Sequence, residues 1–332
     1  MQLVYYKGKL QNFGDDLNRV IWPALAPELF DGTGDDGFLG IGTIIGMPTK
    51  CSHLHVFSSG LGYDSLDSWS VPRTVWCVRG PLTAKLFGCC SSDAALTDGA
   101  ILSPVALSVS RVRKAAKQVG VIPHWESMQF PGWEEACALA GATLISPIGP
   151  PVEVIERLLS VELVLTESLH GAILADTYGI PWVSFLSSGN FSVFKWKDWT
   201  MSVEVALRPM VLPPPTAAPM LRFGYPPGAR WGQVVSCDEE AALHEFALRC
   251  GSSQSTGSSK TRLRKWLKRS PLALGALDRF LAFSPERTAD MIDRAARLEP
   301  ILSRASTREC ARQQTLDRLD KLCQLAGARV RV

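Results

Sequence analysis

Five short segments of this chain gather residue types able to move a proton beside a small anion. His170 follows Glu167, Ser168 and Leu169 and precedes Gly171; an imidazole exchanges protons near neutral pH, which suits it to act as an acid or a base. Arg79 stands before Gly80 and Pro81, where a planar guanidinium can grip phosphate or carboxylate, the competing fate being an ordinary salt bridge. Asp15 and Asp16 follow Asn12 and Gly14, and either can cap a helix or serve as a carboxylate that takes a hydroxyl proton or holds a sugar hydroxyl. His124, Trp125 and Glu126 set an imidazole, an indole able to stack on a sugar ring and a carboxylate side by side. Lys195, Trp196, Lys197, Asp198 and Trp199 mix cations, a carboxylate and indoles, as suits a phosphorylated or glycosidic ligand or an amphipathic cover over a cleft. His53, His55 and His244 have no comparable neighbours.

The elements that must position these residues read as alternating strands and helices. Around His170 the chain gives a strand over Glu162–Thr166, a helix over Leu169–Tyr178 and a strand over Ile180–Leu186. In such a unit the carboxyl end of the strand and the helix N-terminus face the ligand crevice, where unpaired N–H groups favour an anion. Earlier strands are expected over Gln2–Tyr6, His53–Ser58 and Arg73–Val78, and helices over Asp16–Leu25 and Pro81–Phe87, the second with proline in its first turn. A second series has strands at Lys117–Ile122 and Ala142–Ser146 and helices at Trp133–Leu139 and Val152–Leu159. Alternation of this kind predicts parallel sheets covered by helices. Gly60 and Gly62 follow the strand His53–Ser58 and leave room for a ligand near the backbone.

At 332 residues and 46% hydrophobic, the chain is long enough for two cores and an appendage. The predicted fold is α/β, with two Rossmann-like doubly wound domains and a C-terminal helical extension. Its expected divisions are 1–110, 111–210, a Pro-rich crossover and flexible linker over 211–259, and a basic extension over 260–332. The proline-rich run Leu212–Pro227 is expected to form no regular element. Six basic residues lie between Lys260 and Arg269, interleaved with Leu263, Trp266 and Leu267, as in a solvated helix or one lying on an anionic membrane. The tail from Glu286 to Arg329 is expected to pack as a helical hairpin or to mediate self-association into a homo-oligomer. No apolar run reaches about 18 residues and the N-terminus lacks a signal-peptide pattern, so a cytoplasmic chain is expected, peripheral to the inner membrane face where the basic helix binds lipid. The nine cysteines lack metal-ligand spacing and read as free thiols, and a net charge of +3 gives no argument for nucleic acid.

These residues resemble the polysaccharide pyruvyl transferase family, in particular its exopolysaccharide ketal-forming branch of the succinoglycan and xanthan type. The resemblance is carried by NFGDDLN at Asn12–Asn18, GLG at Gly60–Gly62, VRGPLTAKLFG at Val78–Gly88, LTDGAIL at Leu96–Leu102, IPHWES at Ile122–Ser127, SLHGAILADTYGIPWV at Ser168–Val183 and KWKDW at Lys195–Trp199. It implies a GT-B-like fold of two Rossmann domains, phosphoenolpyruvate as donor and a sugar diol on a lipid-linked oligosaccharide as acceptor. It implies that His170 and Arg79 lie at the donor. The residues themselves add Ser168, Leu169, Lys195 and Lys197 as expected donor contacts, and Asn12, Gly60, His124, Trp125, Glu126 and Trp196 as expected acceptor contacts. His170 with Asp15, Asp16 or Glu126 would handle protons. Many members of the wider family carry an arginine where this chain has Ser168, so another cation must meet the phosphate here. Ketal formation by this scheme calls for no metal or organic cofactor. Two other readings are a nucleotide-sugar glycosyltransferase, with Glu153 or Glu156 on the ribose, and a non-catalytic glycan-binding subunit.

Overall fold

The computed structural model describes residues 1–30, 34–62, 66, 69–89, 92–109, 118–226, 230–252 and 271–331. Within them the chain builds two parallel sheets. The first is formed by β1 (Gln2–Val4), β2 (Asp36–Leu39), β3 (His53–Ser59) and β4 (Arg73–Val78), in that spatial order. The second contains β5 (Val119–Ile122), β6 (Thr143–Leu144), β7 (Leu163–Thr166), β8 (Trp182–Leu186) and β9 (Met210–Val211), arranged β6-β5-β7-β8-β9. The order of the second sheet reverses between β5 and β7, and at such a switch point the two chains leave in opposite directions and open a crevice at the strand ends. The first sheet runs in chain order and has no reversal, so it is not doubly wound as the alternation had suggested.

Helices connect and cover the strands. The first half carries α1 (Phe13–Asp16), α2 (Asn18–Leu25), α3 (Pro81–Phe87) and α4 (Ser103–Ala106). The second carries α5 (Trp133–Leu139), α6 (Pro151–Leu159), α7 (Leu169–Thr177) and α8 (Val193–Ser202). Then follow α9 (Ala218–Phe223), α10 (Glu239–Ser252), α11 (Pro271–Leu281), α12 (Pro285–Ala295) and α13 (Ala305–Leu325). Helix α9 lies inside the proline-rich run predicted to be irregular, because its Pro219 falls in the first turn, where no N–H is required. Strand β9 and helix α10 likewise give regular structure to the region beginning near 210.

Under the first sheet, Trp22, Phe38 and Phe57 pack with ring centroids 5.1–5.4 Å apart. Asn18 ties this cluster to the sheet: its carbonyl oxygen accepts from Trp22 Nε1 and from the Ile41 amide, and its amide donates to the Ile41 carbonyl, each at 2.8 Å. Helix α7 is largely apolar, and Gly171 through Thr177 are all buried. One side meets its own sheet and another meets the 3-10 turn Gly99–Leu102 of the first half. The two sheets therefore share one continuous core across α7.

The tail does not form a hairpin. Helix α12 packs on α5, whereas α13 crosses to the 99–102 turn and β4, because each buries its apolar face against a different half. Between them Ile301 bridges Trp182 in antiparallel fashion, and Ser303 bonds the buried carboxylate of Asp176. The basic segment Lys260–Arg269, and most of the linker before it, lie outside the described residues.

Candidate functional site

The crevice at the switch point is a cleft of about 480 Å³. The segments leaving β5 and β7 form one wall, with His124, Trp125 and Glu126 after the first strand and Glu167, Ser168, Leu169 and His170 after the second. Glu167 holds the two together. One carboxylate oxygen accepts the Ser187 amide and hydroxyl at 2.8 and 2.6 Å, and the other accepts the His124 amide at 3.0 Å. Ser168 caps α7 by accepting from the Gly171 amide, which sets His170 in the first helical turn with the positive helix end at the cleft.

The opposite wall comes from the first half. Asn12 and Asp15 line it, joined by a 2.7 Å bond from the Asn12 amide to the Asp15 carboxylate. Gly14 lies directly against His170: a Cβ added there would stand 2.0 Å from Nδ1, so only glycine lets α1 approach the imidazole. On the other side of the ring, Nε2 is buried and has no hydrogen-bond partner, and 3.8 Å from it lies Asp98 Oδ2, also buried and unbonded. The other Asp98 oxygen accepts from the Ala100 amide, capping the 99–102 turn.

Burial sets the charge states. It pushes Asp15 and Asp98 up to about 6, against the pull of the Asn12 hydrogen bond on Asp15 and of the Ala100 hydrogen bond on Asp98. It draws His170 down to about 3, helped by the positive charges of Arg79 and Lys195, and His124 to about 3, helped by Lys195 and Arg249. At pH 7 the cleft thus holds neutral imidazoles beside ionised carboxylates.

Arg79 reaches the cleft wall, but protein partners take up its fork. Nε donates to Asp198 at 3.1 Å, Nη1 to Thr43 at 2.9 Å and Nη2 to the Leu61 carbonyl at 3.0 Å, and the side chain is 1% exposed. Asp198, on α8, also accepts the Thr83 amide and hydroxyl in the first turn of α3. These bonds engage three of the five N–H groups of Arg79 and fasten α8 to the first half, while the residue still lines the cleft. Gly60 serves the Arg79–Asp198 pair, since an added Cβ would lie 2.2 Å from the guanidinium carbon, and it is not among the residues that line the cleft.

Lys195 lines the cleft, and its charge acts on Asp15, His124 and His170. Lys197 does not: two positions along the helix it faces elsewhere, near Cys237. Asp16 also stands apart from the cleft, beside Tyr5. Trp196 is 2% exposed, stacked at 5.0 Å on Phe191, and forms part of the cleft wall rather than a free platform. Glu126 accepts from Asn190 and Arg222 at 2.8 and 3.2 Å. Glu153 and Glu156, candidates for a ribose contact, are exposed on α6 outside the cleft. Among the described residues no group of three or more His, Cys, Asp or Glu side chains is placed to hold a metal ion.

Comparison with known proteins settles the family. A family model described as polysaccharide pyruvyl transferase matches residues 77–189. The succinoglycan biosynthesis protein ExoV of Rhizobium meliloti (strain 1021) is 34% identical over 244 residues, covering 72% of this chain and 75% of that protein. The chain belongs to the polysaccharide pyruvyl transferase family. As a polysaccharide pyruvyl transferase it is a transferase, and the matched span runs from the end of β4 through β8, taking in Arg79, Asp98, His124 and His170. Two contacts at this pyruvyl transferase's site were not foreseen from the sequence, although Asp98 lies in the LTDGAIL segment that carries part of the resemblance. Asp98 stands 3.8 Å from His170, and Asn190, which bridges His124 and Glu126, sits in a serine-glycine loop. Only their meeting with residues 64 to 72 positions away reveals them.

Proposed function

We propose that this protein transfers the enolpyruvyl group of phosphoenolpyruvate onto a sugar diol of a lipid-linked exopolysaccharide repeat unit, forming a cyclic pyruvyl ketal and releasing phosphate. The observation that carries the reading is the setting of His170: an uncharged imidazole on the wall of a cleft that Lys195 and the N-terminus of α7 make favourable to an anion. Family membership supports pyruvyl transfer, and the name of the Rhizobium relative supports exopolysaccharide synthesis. Two parallel-sheet halves facing across the cleft fit a GT-B-like arrangement.

The chemistry needs two proton-handling groups. The methylene carbon of phosphoenolpyruvate takes a proton, one hydroxyl attacks C2, and the second hydroxyl closes the ring as phosphate leaves. Of the two hydroxyl protons one ends on the new methyl group and the other on phosphate. His170 and Asp15 are the groups we assign, Asp15 because a carboxyl held near 6 can both give and take a proton at neutral pH. Lys195 and the first turn of α7 hold the donor in place of the family arginine replaced by Ser168. His124, Trp125 and Glu126 face the acceptor.

The test is incubation with phosphoenolpyruvate and a panel of lipid-linked or synthetic oligosaccharides, followed by mass spectrometry for an added pyruvyl group and by phosphate release. His170→Ala should lower turnover about a hundredfold or more. Transfer from nucleotide sugars instead, or turnover within a factor of a few in the variant, would remove the assignment. Attachment to the inner leaflet through Lys260–Arg269 belongs to the same proposal. Among the described residues no helix is long and apolar enough to cross a membrane. Replacing the six basic residues with glutamine should reduce recovery on anionic vesicles.

A further inference from the structure

We propose that Asp98 is the positioning residue that holds His170 protonated on Nε2, leaving Nδ1 as the atom that accepts a proton from the attacking sugar hydroxyl. The inference rests on the pyruvyl transfer reading of the cleft and gives His170 the role of base within it. Two observations, joined by one energetic argument, support it. Nε2 and Asp98 Oδ2 are buried, unbonded and 3.8 Å apart, and no other polar atom satisfies either. A buried donor and a buried acceptor left unpaired are costly, so a small closing movement that pairs them is favoured. With Nε2 turned to Asp98, Nδ1 beside Gly14 is the ring nitrogen left to serve the cleft that His170 lines.

The partners come from opposite halves of the molecule. Asp98 caps the 99–102 turn of the first half, and His170 opens α7 in the second. The charged groups facing the pair are Arg79 at the end of β4, Lys195 and Asp198 from α8, and Asp15 from α1. The cations oppose formation of an imidazolium, and the Asp98 carboxylate is placed to offset them when the ring takes a proton. In the step itself the hydroxyl O–H bond breaks, its electron pair forms the new bond to C2, and the proton passes to Nδ1. From there it goes to the departing phosphate, while the second hydroxyl returns a proton to the acid that protonated the methylene carbon. A carboxylate behind a histidine fixes its tautomer in the same way in hydrolase triads.

The decisive measurement is the histidine side-chain 15N spectrum of labelled protein, with His170 assigned by its absence in His170→Ala. The wild-type protein should show the Nε2–H tautomer, and Asp98→Asn should lose that preference. Kinetics should follow: in Asp98→Asn, kcat falls about a hundredfold or more while KM for phosphoenolpyruvate stays within about threefold. The double variant with His170→Ala should be no slower than His170→Ala alone. An Nδ1–H tautomer in the wild-type protein would overturn the proposal, even if Asp98→Asn fails to fold. So would a folded Asp98→Asn that turns over within about fivefold of wild type. Absence of any transfer from phosphoenolpyruvate by the wild-type protein would strike the underlying reading instead, and the tautomer would still decide the pairing.

Discussion

A buried acid and a buried base respond to the loss of water in opposite directions, and the cleft together with the layer behind His170 contains two of each. Asp15 and Asp98, both held near 6, bind protons in the folded state at pH values where the unfolded chain has released them. Their stabilising effect is therefore present below about 4 and is lost as pH rises through about 6. His124 and His170, both near 3, have the contrary sign: stability is lost as pH falls from about 6.5 toward 3, because the unfolded chain takes up protons that the native rings refuse. Asp98→Asn, which removes a destabilised buried charge, should raise resistance to urea at pH 7.5 by up to about 3 kcal/mol. Below about pH 4 the gain should vanish, and urea titrations at the two pH values check the sign. A variant that is slower yet more stable would show that the carboxylate is kept for chemistry. At this scale the sequence marked His170, His124, Asp15 and Lys195 by their places after strands or at helix starts. Asp98 belongs to the LTDGAIL segment of the resemblance, but its meeting with His170 escaped because the two lie 72 positions apart.

Elements decide which charges are available. Asp198 both pairs with Arg79 and accepts the Thr83 amide at the start of α3, so one carboxylate caps a helix and neutralises a buried cation. Asp198→Ala would leave Arg79 charged and unpaired, and equilibrium unfolding should show a loss of about 3–5 kcal/mol. A loss under about 1 kcal/mol would mean that water reaches the guanidinium and that Arg79 is available to a ligand after all. The elements bearing the site were readable: β7, α7 and β8 follow the predicted spans closely, and Arg73–Val78, Pro81–Phe87 and Trp133–Leu139 agree throughout. Strands β2 and β9 were not, since four and two residues are too few to display a period. Helix α9 was hidden by prolines that its first turn accepts.

Across the whole molecule the C-terminal segment acts as a strap. Helix α13 spans 21 residues, buries Leu319, Leu322 and Cys323, and sends Arg318 to the Trp76 carbonyl and to Asp93 of the first half. Ser303, just before it, supplies partners for the buried Asp176 of the second half. Ending the chain at residue 299 should cost at least about 3 kcal/mol from the lost burial of Leu319 and Leu322 alone. It should appear as a lower unfolding temperature and as aggregation on size exclusion. An unchanged unfolding temperature would show that the tail is an appendage to the two halves.

The sequence by itself determined the α/β class, the parallel sheets and the placing of His170 at a strand-to-helix junction, because apolar periodicity and helix-start residues act over a few neighbours. Only the tertiary structure decided that Arg79 is paired with Asp198, that Lys197 turns away while Lys195 faces the cleft, and that Asp98 stands behind His170. Each of those outcomes depends on groups far apart in the chain that meet out of water, where an unmatched charge or hydrogen bond is most costly.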